Sequence, residues 1–232
     1  MELEPPTLLC SAFEYTMQTA IYLMDVRRVA RKAGLAVDKI SAAYPERMQK
    51  ISRLTREEDR LRSLAAGLLL CEVLGTHTLG APQILYGEGG KPHLADGPYF
   101  NLSHSGDYAL LAVDDGPVGV DIEKWETWFE DEWPAISRAS FHENERVTLA
   151  KNETPSAGSF FDIWTLKESY VKMLGTGLSI EPASFAVKIE GRRARVESDP
   201  TAYLCLYGLD GYSIAFCATH PDFPDKILEV IV

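Results

Sequence analysis

Cysteine is scarce in this chain: four in 232 residues, at Cys10, Cys71, Cys205 and Cys217, with no C-x-x-C pair among them. That fits reduced, buried thiols in a cytoplasmic protein better than a disulfide framework or a zinc site. Long apolar runs are missing too. The longest, LAAGLLLC at 64–71, is too short to span a bilayer, and the opening MELEPPTLLC lacks the basic region of a signal peptide. Positive charge is in deficit, with 23 Lys and Arg against 34 Asp and Glu for a net charge of −11, which argues against general nucleic-acid binding. Neither a P-loop nor a Ser-His-Asp arrangement is offered.

What is present is an ordinary globular composition, 46% hydrophobic and 25% charged, in a chain long enough to bury a core. The charge is blocky. Residues 25–62 hold eleven Lys/Arg against six Asp/Glu, a net of +5, whereas 114–145 hold ten acids against two bases, a net of −8. Two solvated helix faces would give this pattern. So would one region that holds phosphates and another that holds a cation.

In GVDIEKW at 119–125, Val118, Val120 and Ile122 alternate with Gly119, Asp121 and Glu123, the period-two signature of a strand. Both carboxylates then project from one face, beside a glycine that leaves room for something bulky. The pattern fits a solvent-facing edge, and it equally fits a divalent metal carrying a phosphate ligand. A second segment bears on the choice. In IWTLKESYVKM, Ile163, Leu166, Tyr170 and Met173 form one helical stripe, with Glu168 and Lys172 as i, i+4 neighbours on nearly the opposite face. Alone, that pair reads as a surface ion pair. Beside the strand acids, a third carboxylate completes an oxygen-only site suited to Mg²⁺ or Mn²⁺, with a lysine one turn away to neutralise a departing phosphate.

Around these segments, residues 45–74 predict one helix capped by Gly75, and YGEGGKPHL at 86–94 a loop. FNLSHSGDYALLAVDD with GPVGVDIE predicts a hairpin through Asp-Gly-Pro. Helices are expected around 135–151 and over 159–174, the latter ending at Gly175. Strands are expected at FAVKI, ARVES, YLCLY and YSIAFCA in an antiparallel sheet. A weak echo, Leu74-Gly75-Thr76 against Leu174-Gly175-Thr176, suggests two similar α+β halves divided near residue 118.

GVDIE at 119–123, followed by WTLKES and YVK-LGTGL, resembles the paired signatures of the 4′-phosphopantetheinyl transferases. PERMQK, the R-S of RLRSL, GKP, FNLSHSG and AFCATHPDFP extend the resemblance toward the surfactin-type branch, over about residues 45–224. It implies an α+β fold of two pseudo-twofold-related halves, 1–118 and 119–232, with the active site at their interface. The implied activity moves the phosphopantetheine arm of coenzyme A onto a serine of an apo carrier protein, releasing 3′,5′-ADP. A non-catalytic coenzyme A or carrier-protein binding module is the alternative, which loss of Glu168 or Lys172 would have signalled.

Residue by residue, the resemblance implies a Mg²⁺ (or Mn²⁺) site of Asp121, Glu123 and Glu168. Glu168 is similar to the base for the carrier serine, and Lys172 to the residue facing the leaving phosphate. Arg47, Lys50, Arg62, Ser63 and His104 match positions holding the 3′-phosphate and adenosine end. Lys91 and Pro92 match a loop on the adenine, Ser103 lies beside the pyrophosphate, and Glu145 lies where relatives carry a further active-site acid. His104 alone would read as a structural hydrogen-bonder. Arg47 stands where lysine is common, the first 40 residues are unmatched, and WETWFEDEW is unusually aromatic and acidic. Its Trp125, Trp128, Phe129 and Trp133 form an expected apolar dock for the carrier, unless they pack into the chain's own core. A cytoplasmic monomer acting without nucleic acid or membrane completes the expectation.

Overall fold

The computed structural model describes residues 19–75, 83–87, 89–126, 129–151 and 156–232, with only the backbone at Phe129, Glu130 and Leu178. Strand β1 (Ala20–Asp25) leads into four helices, α1 (Val26–Arg31), α2 (Ala33–Ala43), α3 (Pro45–Ser52) and α4 (Glu57–Leu69). A small ribbon, β2 (Ile84–Tyr86) and β3 (Pro92–Leu94), precedes β4 (Tyr99–Ser105), β5 (Tyr108–Asp114) and β6 (Val118–Lys124). Three helices follow, α5 (Phe129–Ser140), α6 (Glu143–Leu149) and α7 (Ala157–Leu174). The chain then runs through β7 (Val187–Glu190), β8 (Arg193–Val196), β9 (Asp199–Leu209), β10 (Tyr212–Ala218) and β11 (Ile227–Glu229). The fold class is α+β, as the sequence implies.

Two larger sheets carry the structure, ordered β11-β1-β5-β4 and β6-β10-β9-β8-β7. The second is antiparallel throughout, as expected from FAVKI to YSIAFCA. The expected hairpin through Asp-Gly-Pro does not form. β5 is flanked on one side by β1 and on the other by β4, so no edge remains for β6, which pairs with β10 instead. The tight hairpin is the one between β4 and β5, turning at Gly106 with φ 52°.

The single helix expected over 45–74 is two. Arg56 turns to an extended backbone, and Glu57, Glu58 and Asp59 crowd the first turn of α4, where the helix dipole favours acids. The last turn, 70–74, loosens to π-type bonding, and Gly75 ends it with right-handed φ −60°, unlike Gly175 at φ 71° after α7. The echo between the two Leu-Gly-Thr segments is therefore not matched in cap geometry. The helix expected around 135–151 is likewise split. His142 caps α6, its ring accepting from Asn144 N–H while the Glu145 carboxylate accepts from His142 N–H.

One apolar cluster lies under α2, α4 and the first sheet, and a second packs α7 onto the second sheet. A third, including Ile21, Leu110, Val120, Ile122, Ile214 and Phe216, joins the two sheets. Fully buried side chains such as Phe160, Leu166 and Phe216 contribute about 1.5–3 kcal/mol each. This packing fixes α7 against β6, which positions the site.

Candidate active site between the two sheets

Gly119, Asp121 and Glu123 share the face of β6 that meets α7. A Cβ at Gly119 would lie 1.9 Å from the Ser169 carbonyl oxygen and 2.5 Å from the Met173 nitrogen. The space that the sequence reading reserved for a bulky ligand is filled by the backbone of α7. The glycine's role is close approach. It brings Glu168 and Lys172, on either side of Ser169, into one cavity with the strand acids.

Asp121 is buried, and its Oδ1 accepts from Ser103 Oγ at 2.7 Å and from Lys172 Nζ at 2.5 Å. Lys172 also donates to Ser103 Oγ at 2.9 Å and, more weakly, to Val120 O at 3.4 Å. Asp121 Oδ2 is buried with no hydrogen-bond partner. Glu123 Oε2 accepts from Ser105 Oγ at 3.0 Å. Burial, and then the neighbouring Asp121 charge, push the Glu123 carboxyl up to about 7. The same two causes hold Glu168 above the usual carboxylate range. An orphaned buried carboxylate oxygen beside two further carboxylates short of positive charge suits a hard divalent cation such as Mg²⁺ or Mn²⁺.

These acids line a cavity of about 610 Å³ that is also lined by Arg47, Lys50, Tyr86 and His104. Arg47 Nε is buried without a partner, and burial lowers the pKa of its guanidinium. Lys50 Nζ sits 4.1 Å from the Tyr86 ring centroid. His104 opens to the cavity, where desolvation by the surrounding walls, followed by the charges of Arg62, Lys172 and Arg47, holds it below its ordinary pKa. Arg62 and Ser63 do not line this cavity. The Arg62 guanidinium pairs with Asp59 at 2.7 Å and reaches Glu58 at 3.9 Å on its own helix. The charge blocks of the sequence thus meet in one cavity: bases from α3, acids from β6 and α7.

A second cavity of about 600 Å³ lies beyond Pro92, Asn101, Glu168 and Lys172, which border both. Lys91 lines it, yet its ammonium donates to Val118 O and Met173 O at 2.9 Å each, tying β6 to the end of α7. Burial lowers the Lys91 pKa to about 8.

Glu145 lines neither cavity. Both of its carboxylate oxygens accept from Lys167 Nζ at 2.8 Å in a fully buried pair, and they also take Val187 N–H and His142 N–H. The residue is a scaffold that joins α6, α7 and β7. Of the aromatic stretch, Trp133 packs on the second core cluster, and Trp125 Nε1 donates to Ser213 Oγ, which donates to Asp162. Trp128 and the Phe129 side chain lie outside the described residues. Trp164 lines the main cavity. His142 caps a helix and His220 pairs with Asp114, while His77 lies outside the described residues. Among the described residues, no helix is long and apolar enough to cross a membrane.

Asn101 and Ser105 join the site without having been among the residues expected from the sequence. Their signal was the polar period of two in F-N-L-S-H-S, on a strand whose neighbours are apolar.

A profile of the 4′-phosphopantetheinyl transferase superfamily matches residues 117–217. The 4′-phosphopantetheinyl transferase AcpT of Salmonella typhimurium is 35% identical over 147 residues, covering 62% of this chain and 68% of that protein. A holo-(acyl-carrier-protein) synthase from Bacillus anthracis, solved in complex with CoA (3′,5′-ADP), is 18% identical with a TM-score of 0.38, covering 44% of this chain and 92% of that one. The 4′-phosphopantetheinyl transferase Sfp of Bacillus subtilis is 34% identical over 202 residues, covering 82% of this chain and 88% of that protein. Identity at that level along nearly the whole of a relative means that the chain belongs to the 4′-phosphopantetheinyl transferase superfamily.

Proposed function

We propose that the chain transfers the 4′-phosphopantetheine arm of coenzyme A to a serine of an apo carrier protein and releases 3′,5′-ADP. The observation that carries the reading is the buried, unpartnered Oδ2 of Asp121, in a cavity lined by Glu123, Glu168 and Lys172 and by the bases Arg47 and Lys50. Asp121, Glu123 and Glu168 would hold Mg²⁺ or Mn²⁺, which when bound neutralises the pyrophosphate and polarises the reacting phosphorus.

The residues then divide the work. Arg47, Lys50 and His104 take the phosphate and adenosine end through charge-assisted hydrogen bonds. Pro92 offers an apolar face between the two cavities, and the alkyl chain of Lys91 lines the second. The carrier serine oxygen forms a bond to the β-phosphorus as the bond from that phosphorus to the bridging oxygen of the ADP moiety breaks. Glu168, with its carboxyl held above the usual range, accepts the serine proton directly or through water. Lys172, donating to Asp121 and Ser103 in the free protein, neutralises the leaving phosphate oxygen.

Every group in this scheme comes from one chain, which supports a monomer of two similar halves meeting near residue 118. It works on soluble carriers in the cytoplasm, without nucleic acid or membrane. The test is mass spectrometry of apo peptidyl, polyketide and fatty-acid carriers incubated with the protein, coenzyme A and Mg²⁺. A gain of one phosphopantetheinyl group on the carrier serine is expected, and no gain on any carrier class would overturn the reading.

A further inference from the structure

Strands β4 and β6 are neighbouring edges of the two sheets, and what joins them is a row of side chains rather than a backbone ladder. Asn101 Oδ1 accepts from Val120 N–H at 2.9 Å, Ser103 Oγ from Ile122 N–H at 3.4 Å, and Ser105 Oγ from Lys124 N–H at 3.1 Å. Each rung spans 19 residues. The two serines make a second contact 18 residues on, with Ser103 donating to Asp121 Oδ1 and Ser105 donating to Glu123 Oε2. At the first rung the residue in that place is Gly119, which has no side chain to receive a bond.

A serine hydroxyl has one proton and two lone pairs. Once the Lys124 N–H occupies a lone pair of Ser105, the proton is free for the Glu123 carboxylate. We propose that Ser105 is a positioning residue for Glu123: anchored by the backbone of β6, its hydroxyl holds the carboxylate in the cavity so that this one ligand is in place before the cation arrives. This rests on the metal reading above. One feature supports it: glutamate has three rotatable side-chain bonds, so an untethered Glu123 would lose rotamer freedom on each binding event.

The test uses the full chain saturated with coenzyme A and titrates Mn²⁺, following the free ion by electron paramagnetic resonance. D121A with coenzyme A sets the background of Mn²⁺ held by the nucleotide alone. Coenzyme A affinity in EDTA and thermal unfolding in EDTA are measured alongside. S105A is expected to weaken Mn²⁺ binding about 5–20-fold, within the 10–100-fold range typical of groups that orient metal ligands or somewhat below it. S105T, which keeps the hydroxyl, should stay within about twofold of the parent, and coenzyme A affinity in EDTA should not change. If S105A does not fold, S105C carries the same test, since a thiol fills the space but donates weakly, and the same weakened Mn²⁺ binding is expected. Parent-like Mn²⁺ binding in S105A or S105C, with E123Q reduced to background, would overturn the role of Ser105 and leave the metal reading standing. Equal losses of Mn²⁺ and of coenzyme A in EDTA, unrelieved in S105T, would make the residue merely structural. Parent protein no better than D121A would remove the metal reading and the proposal together.

Discussion

Gly119 on β6 lies so close to Ser169 on α7 that one added methyl group would stand 1.9 Å from the Ser169 carbonyl oxygen. The obstacle is helix backbone, which cannot rotate aside, so the helix itself must move. G119A is expected to cost about 3 kcal/mol of stability, the upper end for overpacking a tight contact. It should also lower transfer activity, because α7 carries Glu168 and Lys172. Urea denaturation checks the first effect, and a parent-like midpoint would show that the helix shifts freely.

The buried Lys167–Glu145 pair is a second support for α7, with both side chains almost wholly inaccessible. Removing one partner leaves the other charge buried, which costs about 3–5 kcal/mol. E145Q and K167M should each approach that loss, while the double variant E145Q/K167M should lose much less than the sum. Chemical denaturation of all three measures the coupling, and additive losses would show that the two groups do not stabilise one another.

Much of this was legible in the sequence. The i, i+2 spacing of Asp121 and Glu123 and the i, i+4 spacing of Glu168 and Lys172 each put a pair on one face, and the family likeness brought the faces together. Contacts that depend on distant strands were not legible. β6 follows β5 closely and reads as its hairpin partner, but β1, almost ninety residues earlier in the chain, already holds the edge it would need. The space beside Gly119 looked open because sequence does not show which backbone approaches it. Lys91 looked like a ligand residue, whereas its ammonium binds two backbone carbonyls. Glu145 lies in an acidic stretch, yet its partner is a lysine on α7 that reads locally as surface.

The basic residues give a graded expectation. Arg47 lines the main cavity and its buried Nε has no partner, whereas Arg62 is engaged by Asp59. R47A should weaken coenzyme A by about 1.5–3 kcal/mol, the range for hydrogen bonds to charged groups, and R62A by less. Dephospho-coenzyme A, lacking the 3′-phosphate, should discriminate the variants less. Isothermal calorimetry decides, and a larger loss in R62A would reverse the order of the two arginines.

His104 supplies the pH dependence. Its pKa in the free protein lies below the ordinary value, so the ring is neutral at pH 7. A bound phosphate favours the protonated ring, so the pKa should rise on binding. Binding then takes up a proton between the free and bound values, and affinity should increase as pH falls through that window. NMR titration of the His104 ring with and without 3′,5′-ADP tests this directly. An unchanged or lowered pKa in the complex would place the phosphates elsewhere.

The central claim is that Asp121, Glu123 and Glu168 form the metal-dependent transfer site. It is tested most directly by the rate of carrier modification as a function of Mg²⁺ for the parent and D121A, with folding and coenzyme A affinity in EDTA measured on the same samples. The parent should show saturable Mg²⁺ dependence, and folded D121A should be slower by about a hundredfold or more at every concentration, in keeping with the several kcal/mol a catalytic cation contributes. A folded D121A that matches the parent rate at saturating Mg²⁺ would contradict the account.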